Sequence, residues 1–127
     1  MREEAENWWK QAEYDLKAAE YNFTGEYYGV AAFYCQQAVE KALKALYIEK
    51  RRESPGPTHS LTKLARDCGL PKEFMGALRR LTSEYYLSRY PDATEDVPFM
   101  TYEKQDVRDY LEDAKRALKW INTALRG

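Results

Sequence analysis

Apolar residues recur along this chain every three or four positions, which is the spacing of one face of an α-helix. The clearest case covers about residues 26–52. A stripe of small residues there consists of Ala31, Cys35, Ala38, Ala42 and Ala45. Another helix, at about 3–23, precedes it, and Gly25 separates the two because glycine accepts the left-handed conformation past a helix end. Since small residues permit close approach, we expect the two helices to pack antiparallel.

Three further helices are predicted in the second half of the chain. They cover about residues 61–68, 71–88 and 102–126. Thr58 or Ser60 is suited to cap the short one, and Thr101 the last one. The intervening segment 90–101 carries two prolines and predicts a long loop. The expected fold is all-α, a single domain over 1–127 built as an antiparallel up-and-down bundle of four long helices plus one short helix.

Composition narrows the classes of function. The chain has 127 residues and a net charge of −1, and no run of about 18 uncharged apolar residues that could span a bilayer. The acidic N-terminus lacks an apolar run, so we expect a cytoplasmic protein without a membrane partner. Cys35, Cys68 and the only histidine, His59, are too few for a structural zinc site. We therefore expect no metal and no cofactor.

Charge is distributed unevenly along the chain. The segment 41–66 carries seven basic residues against two acidic ones, whereas residues 1–40 carry three against eight. Such a basic segment could meet a nucleotide, a phosphate backbone or an acidic partner. The interpretation we favour is a solvated helix end whose cations suit the C-terminal helix dipole.

The polar side of the second predicted helix is interrupted by apolar residues. Its polar members are Gln36, Gln37, Glu40, Lys41 and Lys44. Lying among them are the apolar residues Val30, Phe33, Tyr47 and Ile48. Either these pack under a loop or stand singly exposed, or they form a contact surface. We favour the surface and expect a homodimer interface that includes Val30, Phe33, Gln37 and Ile48.

Several motifs together resemble the HEPN family over nearly the whole chain. They are the run from Gln36 to Ala45 (Gln-Gln-Ala-Val-Glu-Lys-Ala-Leu-Lys-Ala), His59-Ser60-Leu61, and Arg89-Tyr90-Pro91-Asp92. The resemblance implies an antiparallel bundle of four or five helices, usually a homodimer. It also implies a group that includes nucleotide-associated domains, RNA-cleaving toxins, and partners of small nucleotidyltransferases encoded beside them.

One motif of the ribonuclease members is incomplete in this sequence. Those members carry an arginine and then a histidine with about four to six residues between them, and the positions at that separation from Arg89 are Thr94, Glu95 and Asp96. Proton transfer from an RNA 2′-hydroxyl near neutral pH favours an imidazole. Nearby acids such as Asp92 would also repel RNA phosphates. We therefore expect RNA to be a poor partner.

Two interpretations of the Arg89 region stay open. Arg89 either forms a salt bridge with Asp92 that fixes the loop, or acts with Tyr90, Asp92 and Lys44 to bind a nucleotide phosphate or a protein partner. We expect His59 to cap or pack at a loop. The leading hypothesis is a non-catalytic domain that dimerises and binds a small nucleotidyltransferase, and nucleotides too. The alternative is a diverged ribonuclease that uses Arg89 with an acid or with His59.

Overall fold

The computed structural model describes residues 1–88, 90 and 102–127, and the regular structure in these ranges is helical. The helices are α1 (Glu3–Thr24), α2 (Tyr28–Arg51), α3 (Leu61–Cys68), a 3₁₀ turn (Lys72–Phe74), α4 (Met75–Thr82), α5 (Glu84–Leu87) and α6 (Lys104–Arg126). The all-α prediction is confirmed. The predicted bounds of α1 and α2 agree with the structure to within two residues, and those of α3 agree fully.

Contacts near the helix ends give the directions of the three long helices. The Arg2 backbone N–H, before α1, donates to the Glu49 carboxylate near the end of α2 at 2.8 Å, so α1 and α2 are antiparallel. Ala31, near the start of α2, packs with Val107, near the start of α6. Helices α2 and α6 therefore run in the same direction, opposite to α1.

The core is built around α2, which packs against α1, α3 and α6. Its stripe of small residues, including Ala38, Ala42 and Ala45, is fully buried, so neighbouring helices approach closely. Larger side chains of α2 itself and of the surrounding helices fill the remaining space. The largest fully buried apolar ones are Leu43, Leu46, Leu61, Leu64, Leu78, Leu81 and Ile121.

The predicted fourth long helix is wrong in one respect, because residues 72–87 form three short helical pieces. The break between α4 and α5 follows Thr82, whose hydroxyl donates to the Leu78 carbonyl at 2.8 Å and accepts from the Leu61 N–H at 3.2 Å. A threonine hydroxyl bonded back to the preceding turn weakens a helix. The contact with Leu61 also ties the end of α4 to the start of α3.

Local chemistry explains several helix ends. Ser60 caps α3 by accepting from the Lys63 N–H, as predicted, and Gly69 ends it in the left-handed conformation at φ 78°. The predicted left-handed Gly25 is wrong, because its φ is −80° and Glu26 takes the positive φ of 67° instead. Helix α6 is capped by Glu103, whereas the expected cap, Thr101, and most of the predicted 90–101 loop lie outside the described residues.

Both cysteines, Cys35 and Cys68, are buried in the core as free thiols. Burial raises the pKa of the Cys35 thiol and raises that of Cys68 to about 11, so both stay protonated and weakly nucleophilic. Within the ranges that the structure covers, no helix is both long and apolar enough to cross a bilayer.

A matched pair of glycines tests the backbone conformation at the helix ends. We expect Gly69→Ala to lower the free energy of unfolding by about 1–2 kcal/mol, because a Cβ is disfavoured at positive φ. A Cβ at this position has no atom within 4 Å, so no clash contributes. Gly25→Ala, at negative φ, should raise stability by about 0.4–1 kcal/mol. Urea unfolding measures both, and equal effects of the two changes would contradict the assigned conformations.

Candidate functional site

A carboxylate inside α2 collects three hydrogen-bond donors. Glu40 is 4% exposed, and its Oε1 accepts from Gln36 Nε2 at 2.9 Å while its Oε2 accepts from Lys44 Nζ at 3.0 Å. Residues four apart lie on one face of a helix, so Gln36, Glu40 and Lys44 form a continuous row. His59, from the loop before α3, brings its Nδ1 to 2.9 Å from Glu40 Oε1. These four residues are called the Glu40 network below.

The Glu40 network is enclosed by aromatic rings from other elements. The Lys44 ammonium lies 5.4 Å from the centre of the Trp8 ring of α1, and Lys44 is only 8% exposed. Charges with so little solvent need partners, and here the carboxylate and the indole face supply them. On the other side, the His59 and Tyr85 rings stack with centroids 3.8 Å apart and an interplanar angle of 18°.

The two nitrogens of His59 have different roles. Because Glu40 is a carboxylate, Nδ1 carries the hydrogen and donates to it, which fixes the tautomer of the neutral ring. Nε2 is then an acceptor and has no hydrogen-bond partner among the described residues. The side chain is 42% exposed. An imidazole that a carboxylate orients in this way can support binding or proton transfer.

A second buried carboxylate belongs to α5, which is a single helical turn. Glu84 is 4% exposed, and its carboxylate accepts from the hydroxyls of Tyr102 and, at 3.1 Å, Tyr110. Burial raises the Glu84 pKa, although both tyrosine hydrogen bonds act in the opposite direction. Burial and the nearby Glu84 raise the pKa of both phenols, which therefore stay protonated and able to donate. These three residues are called the Glu84 network below.

The basic segment that the sequence singles out is largely used inside the molecule. Lys41 pairs with buried Asp15 of α1, and Lys44 with Glu40. Lys50 and Arg51 donate to the carbonyl oxygens of Cys68 and Asp67 at the end of α3. These bonds satisfy carbonyls that a helix end leaves open. The favoured interpretation of a solvated helix end does not describe Lys41 and Lys44, because both pair with buried carboxylates.

The residues predicted as a ligand site are only partly described. Lys44 is buried and bonded to Glu40, so a phosphate would compete with that carboxylate. Tyr90 is 42% exposed. Arg89 and Asp92 lie outside the described residues. Their arrangement around a ligand therefore stays a prediction.

The predicted interface residues differ in exposure. Val30 is 42% exposed, and Phe33 and Gln37 are partly buried. Ile48 is 3% exposed, so its assignment to an exposed face is wrong: it is buried in α2, which packs against α1, α3 and α6.

The sequence interpretation missed the central members of the site. It assigned Gln36 and Glu40 to the polar face of the helix and expected His59 only to cap or pack, whereas all three belong to one network. The sequence did carry one signal for this network, because Gln36, Glu40 and Lys44 are spaced four residues apart and so lie on one face of a helix. The partners of Glu84 had no such signal, because they lie 18 and 26 residues away along the chain.

Comparison with known proteins finds a matching domain family and similar solved structures. The HEPN domain family model matches residues 5–124. The crystal structure of ST0689, an archaeal HEPN homologue, is 34% identical with a TM-score of 0.83, over 98% of this chain and 99% of that chain. The crystal structure of TT1696 from Thermus thermophilus is 28% identical with a TM-score of 0.88, over 97% and 99%. No sequence among the curated proteins matches.

The fold and the site together define a class of protein. It is a small helical bundle that buries two polar networks, one around Glu40 of α2 and one around Glu84 of α5. Within that class, the chain belongs to the HEPN family, since the family model covers nearly its whole length. The family resemblance predicted from the sequence motifs is confirmed.

The Glu40 network generates a prediction about stability. We expect Glu40→Gln to lower the free energy of unfolding by about 3–5 kcal/mol, because buried Lys44 then lacks a counter-charge. The matched control is Asp67→Asn, which breaks a Lys63–Asp67 pair of the same helical spacing in which the Lys63 side chain is 59% exposed. That change should cost no more than about 0.5 kcal/mol. Similar losses in the two variants, measured by urea unfolding, would refute the role of burial.

Proposed function

We propose that this protein acts by binding rather than by cleaving RNA. In this proposal it forms a homodimer and binds a small nucleotidyltransferase as its partner in a toxin-antitoxin-like pair. Arg89, Tyr90 and Asp92 contact the nucleotide or partner, and Lys44 does so only in competition with Glu40. The choice of partner rests on family likeness, because the HEPN family includes such pairs. The choice of binding over catalysis rests on the chemistry of the site.

The observation that carries the proposal is the engagement of the only histidine. His59 Nδ1 is bonded to Glu40, and the ring stacks on Tyr85, so the imidazole is part of a network that stabilises the fold. No histidine stands at the ribonuclease spacing after Arg89. Without an imidazole at that position, the expected proton acceptor for the RNA 2′-hydroxyl is missing.

The exposed apolar residues support the dimer. Val30 at 42% and Tyr27 at 67% exposure lie at the start of α2, and Tyr90 at 42% follows α5. Glu26, Gly29 and Ser88 join Tyr27 and Val30 around a shallow cavity of about 260 Å³. Aromatic side chains supply much of the energy of protein interfaces. A second copy that covers this surface would remove these side chains from water.

One observation favours a second candidate, a diverged ribonuclease. His59 has a ring oriented by Glu40, and Tyr85, on which it stacks, stands four residues before Arg89 in the sequence. In this alternative, His59 supplies the proton acceptor from another element.

An RNA-cleavage assay separates the two candidates. We expect purified protein to leave single-stranded RNA and transfer RNA intact, at the rate of a buffer blank. Arg89→Ala and His59→Asn serve as the comparison variants, since Asn retains a donor for Glu40. Cleavage by the unmodified chain that both variants lose would establish the ribonuclease and overturn the binding proposal.

Sedimentation velocity tests the dimer and its partner. We expect a dimer at tens of micromolar, and Val30→Arg should shift it to monomer because it places a charge in an apolar contact. Tyr21→Arg is the matched control, since Tyr21 is 81% exposed on α1 and lies outside the proposed surface. Adding the small nucleotidyltransferase that the proposal expects from a neighbouring reading frame should give a heavier species. A monomer that does not sediment faster when the nucleotidyltransferase is added would contradict both the dimer and the proposed partner.

A further inference from the structure

Helix α5 is a single turn of four residues, Glu84–Leu87, and two polar networks contact it. Tyr85 stacks on His59, which belongs to the Glu40 network. Its neighbour Glu84 is bonded to Tyr102 and Tyr110. Adjacent residues of a helix point in different directions, so the two networks hold different faces of the same turn.

A turn of this length has little stability of its own. Helix nucleation is unfavourable, and isolated helices shorter than about 12 residues are marginal in water. The position of α5 therefore depends on its tertiary contacts. Those contacts include the Tyr85 ring, whose centre is 6.0 Å from that of Phe33 on α2, and the buried Glu84 carboxylate.

We propose that Glu84 is a positioning residue for the candidate site, which fixes α5 against α6 so that Tyr85 stacks on His59. This inference deepens the proposed function, because it assigns a role in the same site to a residue on the far side of the turn. Glu84 is bonded to Tyr102 and Tyr110, whereas Lys44 of the proposed ligand site is bonded to Glu40. Glu84 acts through the backbone of α5 and the ring of Tyr85.

The packing around Tyr102 limits the positions from which its hydroxyl can donate to Glu84. A Cβ placed on Gly29 would lie 3.6 Å from the Tyr102 ring and 3.5 Å from the Ser88 carbonyl oxygen. The ring therefore packs against the backbone of α2, which limits where its hydroxyl can lie. Tyr110 is fixed within α6. Two phenols held in this way bind one buried carboxylate with charge-assisted hydrogen bonds, which are stronger than neutral ones.

The single histidine makes the inference measurable, because its ring protons give unambiguous proton NMR signals. Stacking on Tyr85 should shift the Hδ2 and Hε1 signals of His59 upfield. The double variant Tyr102→Phe/Tyr110→Phe keeps both rings and removes both donors. We expect it to lose part of that upfield shift, moving toward the signals of Tyr85→Leu, which removes the stack. A complete pH titration of each variant compares the same protonation state of His59.

Conservative variants distinguish positioning from a general loss of structure. Glu84→Gln keeps a hydrogen-bond acceptor and should retain more of the shift than Glu84→Ala. Glu112→Gln, an exposed carboxylate on the same helix as Tyr110, should reproduce the unmodified spectrum. If the double phenylalanine variant matches that control while Tyr85→Leu differs, Glu84 does not position the ring. If Tyr85→Leu leaves the signals unchanged, there is no stack to position, which equally overturns the inference.

The NMR experiment and the partner-binding experiment test the positioning role and the proposed function independently. The His59 signals report the geometry of α5 whether or not a nucleotidyltransferase binds. If the signals respond as expected and the partner does not bind, the positioning role stands and the proposed function is wrong. If the partner binds and the signals do not respond, the positioning role is wrong and the proposed function stands.

Discussion

The ionised Glu40 carboxylate is the group on which the candidate site depends. A buried charge is tolerated only when its surroundings replace the lost hydration, and here an amide, an ammonium and an imidazole do so. Lys44 is buried as well and needs the Glu40 carboxylate as its counter-charge. The bond between Glu40 and His59 also fixes the loop before α3 against α2. One carboxylate thus links helix packing to the orientation of the only histidine.

The same principle explains how the basic segment is used. A lysine or arginine bonded to a buried acid or to the end of α3 has little left to offer an external phosphate. Exposed aromatic and aliphatic side chains lie near the start of α2 and after α5, and Tyr14 and Tyr21 are exposed on α1. This division between internally used charge and outward apolar surface favours a protein partner over a nucleic acid.

The question of catalysis reduces to the second nitrogen of His59. The Glu40 bond orients the ring and leaves Nε2 as an acceptor, which is compatible with proton transfer, while the stack on Tyr85 links it to α5. An oriented imidazole alone is not a ribonuclease, because transition-state charge must also be stabilised by a nearby cation. Lys44, the nearest cation of the network, is already bonded to Glu40.

The sequence by itself determined the all-α class, the bounds of the first three helices and the family, because helical periodicity, serine caps and glycine ends are local signals. It also identified Lys44 and Val30 as residues of interest. Only the tertiary structure decided that Glu40 and Lys44 are buried, that Ile48 is covered and that the fourth predicted helix breaks. These outcomes depend on side chains distant in sequence, such as His59 beside Glu40, whose meeting no local pattern encodes.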